Sequence, residues 1–186
     1  MISIVYVLGH GARAPPHSPT LSPTKWSAQL KDQPQALGVL HVLTSSLTDA
    51  DLATLSESNW TNVIALNELV VTMPLGVTSP DSATHVQRCM NVIITSLALT
   101  LRMTTITIRN PLPTSIVQEQ DAVLAGELMP ILNELDIYLS ERITTGTLQR
   151  VVFATSRPST GPIAEHEKLR VDQFFPILAG LQDTAA

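Results

Sequence analysis

Residues 62–111 read NVIALNELVVTMPLGVTSPDSATHVQRCMNVIITSLALTLRMTTITIRNP. Two apolar runs, at residues 63–66 and 69–73, precede Pro74. A mostly apolar block then spans residues 86–101, and Thr and Ile alternate at 104–108. A strand, a helix and a second strand within about 50 residues have the size of one βαβ unit. We expect most of the hydrophobic core to come from this stretch.

The helix of this unit has a clear start. Ser79-Pro80-Asp81 offers an N-cap hydroxyl, a proline suited to the first helical position and a carboxylate for the positive end of the helix dipole. From there to about Arg102 the polar residues form one narrow stripe, which predicts a helix buried on several sides. Its apolar run is shorter than the roughly 20 residues that a membrane span requires.

The remaining chain predicts further strands and helices in alternation. Strands are expected at 2–8, 38–44 and 149–155, and helices at 48–57, 115–142 and 164–182. This pattern indicates an α/β fold with a largely parallel sheet and flanking helices. We predict a single α/β domain over 1–155, with a Pro/Gly loop and a C-terminal helix over 156–186 appended to it. The helix at 115–142 carries carboxylates that we assign to a solvated face: Glu119, Asp121, Glu127, Glu134, Asp136 and Glu141.

Residues 12–36 are predicted to form an extended, Pro-rich arm outside the main core. Trp26 on this arm is either an anchor for a partner or the residue that pins the arm to its own domain. The residues assigned to partner binding are Trp26, Pro15, Pro16, Pro19 and Pro23.

Composition limits the classes of partner. Charged residues are only 15% of the 186 residues, against roughly 25% in ordinary soluble domains, which favours burial of surface against other protein subunits. The net charge is −5 with no basic run, so direct nucleic-acid binding is not expected. The single cysteine, Cys89, is predicted to be a core residue. We find no secretory signal and no membrane span, and expect a cytoplasmic or virion location.

His10 and His85 are the candidates for chemistry. His10 stands between two glycines just past the first strand, and His85 opens the central helix after another strand. Ligands of open α/β sheets bind at the carboxyl edge, where both histidines would lie. Two imidazoles there could hold a divalent metal or act as acid and base.

At these residues the chain resembles a known family. Val7-Leu8-Gly9-His10-Gly11-Ala12-Arg13 looks like the strand and GHGSR opening of the small sirohydrochlorin chelatases. Met73-Pro74-Leu75 with His85, and Ile108-Arg109-Asn110-Pro111-Leu112, are similar to later motifs of that family, over about residues 1–142. The resemblance implies a flavodoxin-like fold and insertion of Co²⁺ or Fe²⁺ into a tetrapyrrole by His10 and His85.

Three features depart from that family. Ala12 replaces the usual serine, the Pro-rich arm replaces the helix after the first strand, and the acidic residue usual near the end of the second strand is missing at Leu43-Thr44. We therefore favour a non-enzymatic structural subunit of a larger assembly that needs no cofactor, most specifically a viral coat or accessory coat protein. The alternative is the chelatase. For the two histidines we predict a shared cleft without metal-ligand geometry.

Overall fold

The structure, a computed structural model, describes residues 5–8, 20–32, 34–44, 47–73, 81–100, 103–119, 121–154 and 162–184. Its strands are β1 (Val5–Leu8), β2 (Thr20–Leu21), β3 (Gln35–Ala36), β4 (Val39–Leu43), β5 (Val63–Ile64), β6 (Glu68–Thr72), β7 (Thr105–Arg109) and β8 (Arg150–Ala154). Its helices are α1 (Pro23–Asp32), α2 (Asp49–Ser56), α3 (Asp81–Leu99), α4 (Thr114–Val117), α5 (Ala122–Thr144), α6 (Pro162–Phe174) and α7 (Pro176–Thr184).

Six strands form one sheet in the order β2-β1-β4-β6-β7-β8, and every neighbouring pair is parallel. The short strands β3 and β5 pair separately, also in parallel. The predicted α/β fold with a largely parallel sheet is therefore confirmed. With β3 and β5 set aside, the first five strands follow the flavodoxin-like order 2-1-3-4-5.

The connecting helices lie on one side of this sheet. Every step from β2 to β4, β6, β7 and β8 runs in the same direction across the sheet. Right-handed crossovers then place α1, α2, α3 and α5 on the same face. Their contacts agree, because α1 packs on α2, α2 on α3, α3 on α5 and α5 on α7.

The core lies between this helix layer and the face of the sheet that it covers. Leu40, Leu69 and Ile106 form one row of that face across β4, β6 and β7, and all three are fully buried. The row nearer the carboxyl edge holds Val42, Val71 and Ile108, also fully buried. On α3, the side chains Val92, Ile93 and Leu97 join the same cluster. Among the described residues, the stretch 62–111 supplies 14 of the 35 buried members of this cluster, which is less than the predicted majority, because α1, α2 and α5 also contribute.

The opposite face of the sheet, which we call the open face, has a different character. Because successive strand residues point to opposite faces, the pairing registers place these residues on it: Val39, His41, Leu43, Glu68, Val70, Thr72, Thr105, Thr107, Arg109, Arg150, Val152 and Ala154. Val70 and Thr107, at the centre of this face, are 3% and 9% exposed, most of its other side chains are half-buried, and Arg109 and Arg150 are exposed. The helices α1, α2, α3 and α5, each of which packs against the next, all lie on the face opposite to the open face.

The prediction of an extended arm over 12–36 is wrong for residues 23–32, which form α1. Pro23 is the first residue of that helix, a position that needs no amide donor, and it is buried. Trp26 and Leu30, one turn apart, are fully buried, and the Trp26 ring lies 6.4 Å from the Trp60 ring. Trp26 therefore pins this segment to its own domain and is not accessible to a partner. The sites predicted at Pro15, Pro16 and Pro19 lie outside the described residues.

The long helix predicted over 115–142 is split into α4 and α5. Glu119, between them, has a left-handed backbone with φ 59°, which interrupts the helical hydrogen bonds. A new start follows, because the Asp121 carboxylate accepts a hydrogen bond from the Leu124 amide at 2.8 Å. The helix predicted over 164–182 is likewise divided into α6 and α7, with a break before Pro176.

The assignment of all the α5 carboxylates to a solvated face is wrong for Asp136. Its side chain is fully buried and accepts hydrogen bonds from the Ile177 amide at 2.9 Å and the Leu178 amide at 3.0 Å. One carboxylate on α5 thus caps the first turn of α7. Phe174, Phe175 and Leu178 belong to the main core cluster, so the helices that follow residue 155 share the core of the domain.

Candidate functional site at the carboxyl edge of the sheet

The carboxyl edge of the sheet is built around a reversal of strand order. The chain runs from β1 outward to β2 and then returns to β4 on the other side of β1. In open α/β sheets the crevice beside such a reversal is the usual ligand site. The helices that start at this edge after β4 and β6 are α2 and α3, and they pack against each other.

The starts of these two helices are joined by side chains. His85, in the first turns of α3, places Nδ1 3.1 Å from Oδ1 of Asp49, the first residue of α2. Arg88, one turn further along α3, places its guanidinium nitrogen 2.7 Å from Oδ2 of the same carboxylate. The three side chains are 22%, 48% and 39% exposed for His85, Asp49 and Arg88, so this cluster is open to solvent.

The local sequence explains why Asp49 is held in place. Thr48 and Asp51 form a capping box at the start of α2: the Thr48 hydroxyl accepts from the Asp51 amide, and the Asp51 carboxylate accepts from the Thr48 amide at 2.9 Å. Asp49 is therefore fixed in the first turn, with its side chain directed to α3.

A carboxylate on Nδ1 has a chemical consequence for His85. It favours the tautomer with the proton on Nδ1, which leaves the Nε2 lone pair available for a metal ion or a proton. Leu43-Thr44 carries no acidic residue, although the resemblance implied one there; the carboxylate that contacts His85 in the structure is Asp49. The signal was available, because Asp49 and His85 both open helices that follow neighbouring parallel strands.

Two residues close to this cluster, Thr44 and Cys89, are fully buried. The Thr44 hydroxyl donates to the Thr72 carbonyl at 2.6 Å, which ties the ends of β4 and β6 together. Burial raises the pKa of the Cys89 thiol to about 12. A thiol with that pKa stays protonated near neutral pH and is a poor nucleophile or metal ligand. Cys89 is thus the core residue that the sequence predicted.

The site predicted from sequence is brought together only in part. His10 lies outside the described residues, so its distance from His85 stays a prediction. In the part of the chain that the structure describes, no three His, Cys, Asp or Glu side chains are grouped to hold a metal ion. What the structure adds to His85 is the pair Asp49 and Arg88.

A second polar cluster lies on the open face. Glu68 accepts a hydrogen bond from the Thr107 hydroxyl at 2.9 Å, and His41 is in the same row as Thr107. Burial lowers the pKa of His41, the nearby Arg109 lowers it further, and Glu68 opposes them. The lowered pKa favours the uncharged form of His41, whose row lies between the rows of the Glu68 carboxylate and the Arg109 guanidinium.

Comparisons with models of known protein families, with curated proteins and with solved structures gave no match. Within the described residues no helix has the length and apolar character of a membrane-spanning segment.

Proposed function

We propose that this chain is a non-enzymatic structural subunit of a larger protein assembly. The observation that carries the proposal is the open face of the sheet. Parallel sheets are almost always covered on both faces. Here α1, α2, α3 and α5 line one face, and the other presents the half-buried Val39 and Val152 among polar residues, with Val70 buried at its centre. A second protein surface on this face would complete the usual layering.

Exposed apolar side chains on α5 and α7 add support. Ile137 of α5 is 42% exposed, and Ile177 of α7 is 43% exposed. Ile137 and Ile177 line a groove of about 520 Å³ between the two helices. Large apolar side chains grouped at the surface are typical of protein contact sites.

The most specific form of the proposal is a viral coat or accessory coat protein. Its support is compositional: few charged residues and only three lysines, with Thr, Ser and Pro in many of the polar positions. The partners would be other protein subunits, either further copies or a different chain.

Sedimentation velocity over a concentration series tests the proposal. We expect species heavier than the 20.1 kDa monomer that grow with concentration. A chain that stays monomeric up to about 1 mM, where even millimolar affinities would show, contradicts it.

A second candidate is favoured by one observation, the contact between Asp49 and His85. In a chelatase-like reaction, His85 and His10 would receive Co²⁺ or Fe²⁺ as the substrate, and Asp49 would orient the His85 ring. We expect such an enzyme to metallate sirohydrochlorin, and to lose that activity in His85→Ala while Asp49→Asn weakens it roughly 10–100-fold, as outer carboxylates of metal-binding histidines do. Absence of metallation by the folded wild-type chain with either metal rejects this candidate.

A further inference from the structure

We infer that copies of this chain associate head to tail, with the open face of one copy seated on the outer face of α5 of the next. The inference rests on the proposed assembly function and names its partner, a second copy, and its two contact surfaces. It is carried by the opposite charge of the two surfaces and by the matching spacing of those charges.

The outer face of α5 combines an acidic stripe with apolar side chains. Glu127, Glu134 and Glu141 recur every seven residues and are all exposed. Because seven residues are close to two helical turns, they form one line along the helix. Val123 and Ile137 lie beside that line and are 74% and 42% exposed.

The open face has the opposite charge. Arg109 and Arg150 are exposed there. The one carboxylate among the described residues of this face, Glu68, is less exposed because it is half-buried and accepts a hydrogen bond from Thr107. A chain with a net charge of −5 thus carries two exposed arginines on one face of its sheet and three exposed glutamates along one helix. Opposed patches of this kind favour docking in one orientation.

The spacings of these charges are compatible. Arg109 stands on β7 and pairs in register with Ala154, four residues along β8 from Arg150. Four strand residues and one strand separation place the two Cα atoms about 14 Å apart. Neighbouring glutamates of the stripe are about 10 Å apart along the helix. The reach of arginine and glutamate side chains closes that difference, so each arginine can meet one glutamate.

The arginine pair also sets the direction of the contact. Because Arg109 and Arg150 are separated mainly along the strands, α5 must lie along β7 and β8 to meet both. The 23 residues of α5 extend about 35 Å, roughly twice the length of these five-residue strands. A single helix in contact over one strand length buries less than the roughly 800 Å² per partner of a standard stable interface. Each contact is therefore weak and concentration-dependent. Because the two surfaces differ, repeated contacts build rings or open chains of subunits.

Charge reversal on each surface tests the inference. Arg109→Glu/Arg150→Glu alters the open face, and Glu134→Arg/Glu141→Arg alters α5; all four positions are exposed, so both variants should fold. We expect self-association of each variant, measured by sedimentation, to weaken at least roughly tenfold. Lys25→Glu/Lys31→Glu changes two exposed α1 residues by the same charge as the sheet variant and should associate like the wild type.

Combining the changes supplies the decisive result. An equimolar mixture of the two variants, or one chain with all four reversals, again opposes unlike charges and should recover association. If the wild type assembles but either variant assembles equally well, or recombination restores nothing, the head-to-tail contact is wrong while the assembly function stands. A wild-type chain that remains monomeric overturns both.

Discussion

Asp136 offers a sharp test of how α7 is held. Replacing it with alanine removes the acceptor of two backbone amides, those of Ile177 and Leu178, at 2.9 and 3.0 Å. Loss of a helix cap costs about 0.5–2 kcal/mol, and a hydrogen bond to a charged group contributes about 1.5–3 kcal/mol. Because the Leu178 amide is buried and would lose its partner, we expect Asp136→Ala to lower the free energy of unfolding by about 2–4 kcal/mol.

Urea denaturation followed by circular dichroism measures this change. Glu134→Ala on the same helix is the matched control, since Glu134 is exposed and should change stability by less than about 0.5 kcal/mol. Hydrogen exchange gives a local readout, because amides of α7 should lose protection before those of α3. The reasoning fails if Asp136→Ala costs no more than its control.

Three further outcomes are expected. Ile93→Ala and Leu97→Ala should each cost about 2–5 kcal/mol in urea denaturation, because both side chains are buried in the central helix; a cost under about 0.5 kcal/mol would contradict its central place. Deleting residues 23–32 should unfold the chain, since Trp26 and Leu30 are core residues; a cooperative thermal transition in the deletion variant would contradict this. Stability should fall as pH drops below 6.5, because burial lowers the pKa of His41 and the unfolded chain then binds more protons; His41→Gln should reduce this dependence in melts at several pH values.

The central unit could be predicted from the sequence because its signals are local. The apolar runs of β6 and β7 end at proline or asparagine, and Thr48 and Asp51 mark a helix start by their spacing alone. Such signals act within one turn or one strand, so they do not depend on contacts with distant parts of the chain. Misassigned residues are those whose environment is set by distant parts of the chain.

Trp26, Asp49 and Asp136 illustrate this limit. Trp26 stands in a Pro-rich segment, yet Trp60, which completes its pocket, is 34 positions away in the chain. Asp136 looks like its exposed neighbours on α5 until α7, about 40 residues later, brings two amides to it. Asp49 meets His85 only because α2 and α3 pack side by side. The periodicity of one helix does not encode such pairings.

The open face, by contrast, leaves a trace in the sequence. A parallel strand buried on both faces is continuously apolar, whereas β7 reads Thr-Ile-Thr-Ile-Arg. Ile106 and Ile108 point to the helix layer, and the alternating residues Thr105, Thr107 and Arg109 point away from it. The alternation is that of a sheet with one solvated or partner-covered face. The proposed contact therefore depends less on the overall shortage of charge than on where the charges stand: two arginines on this face and three glutamates along α5.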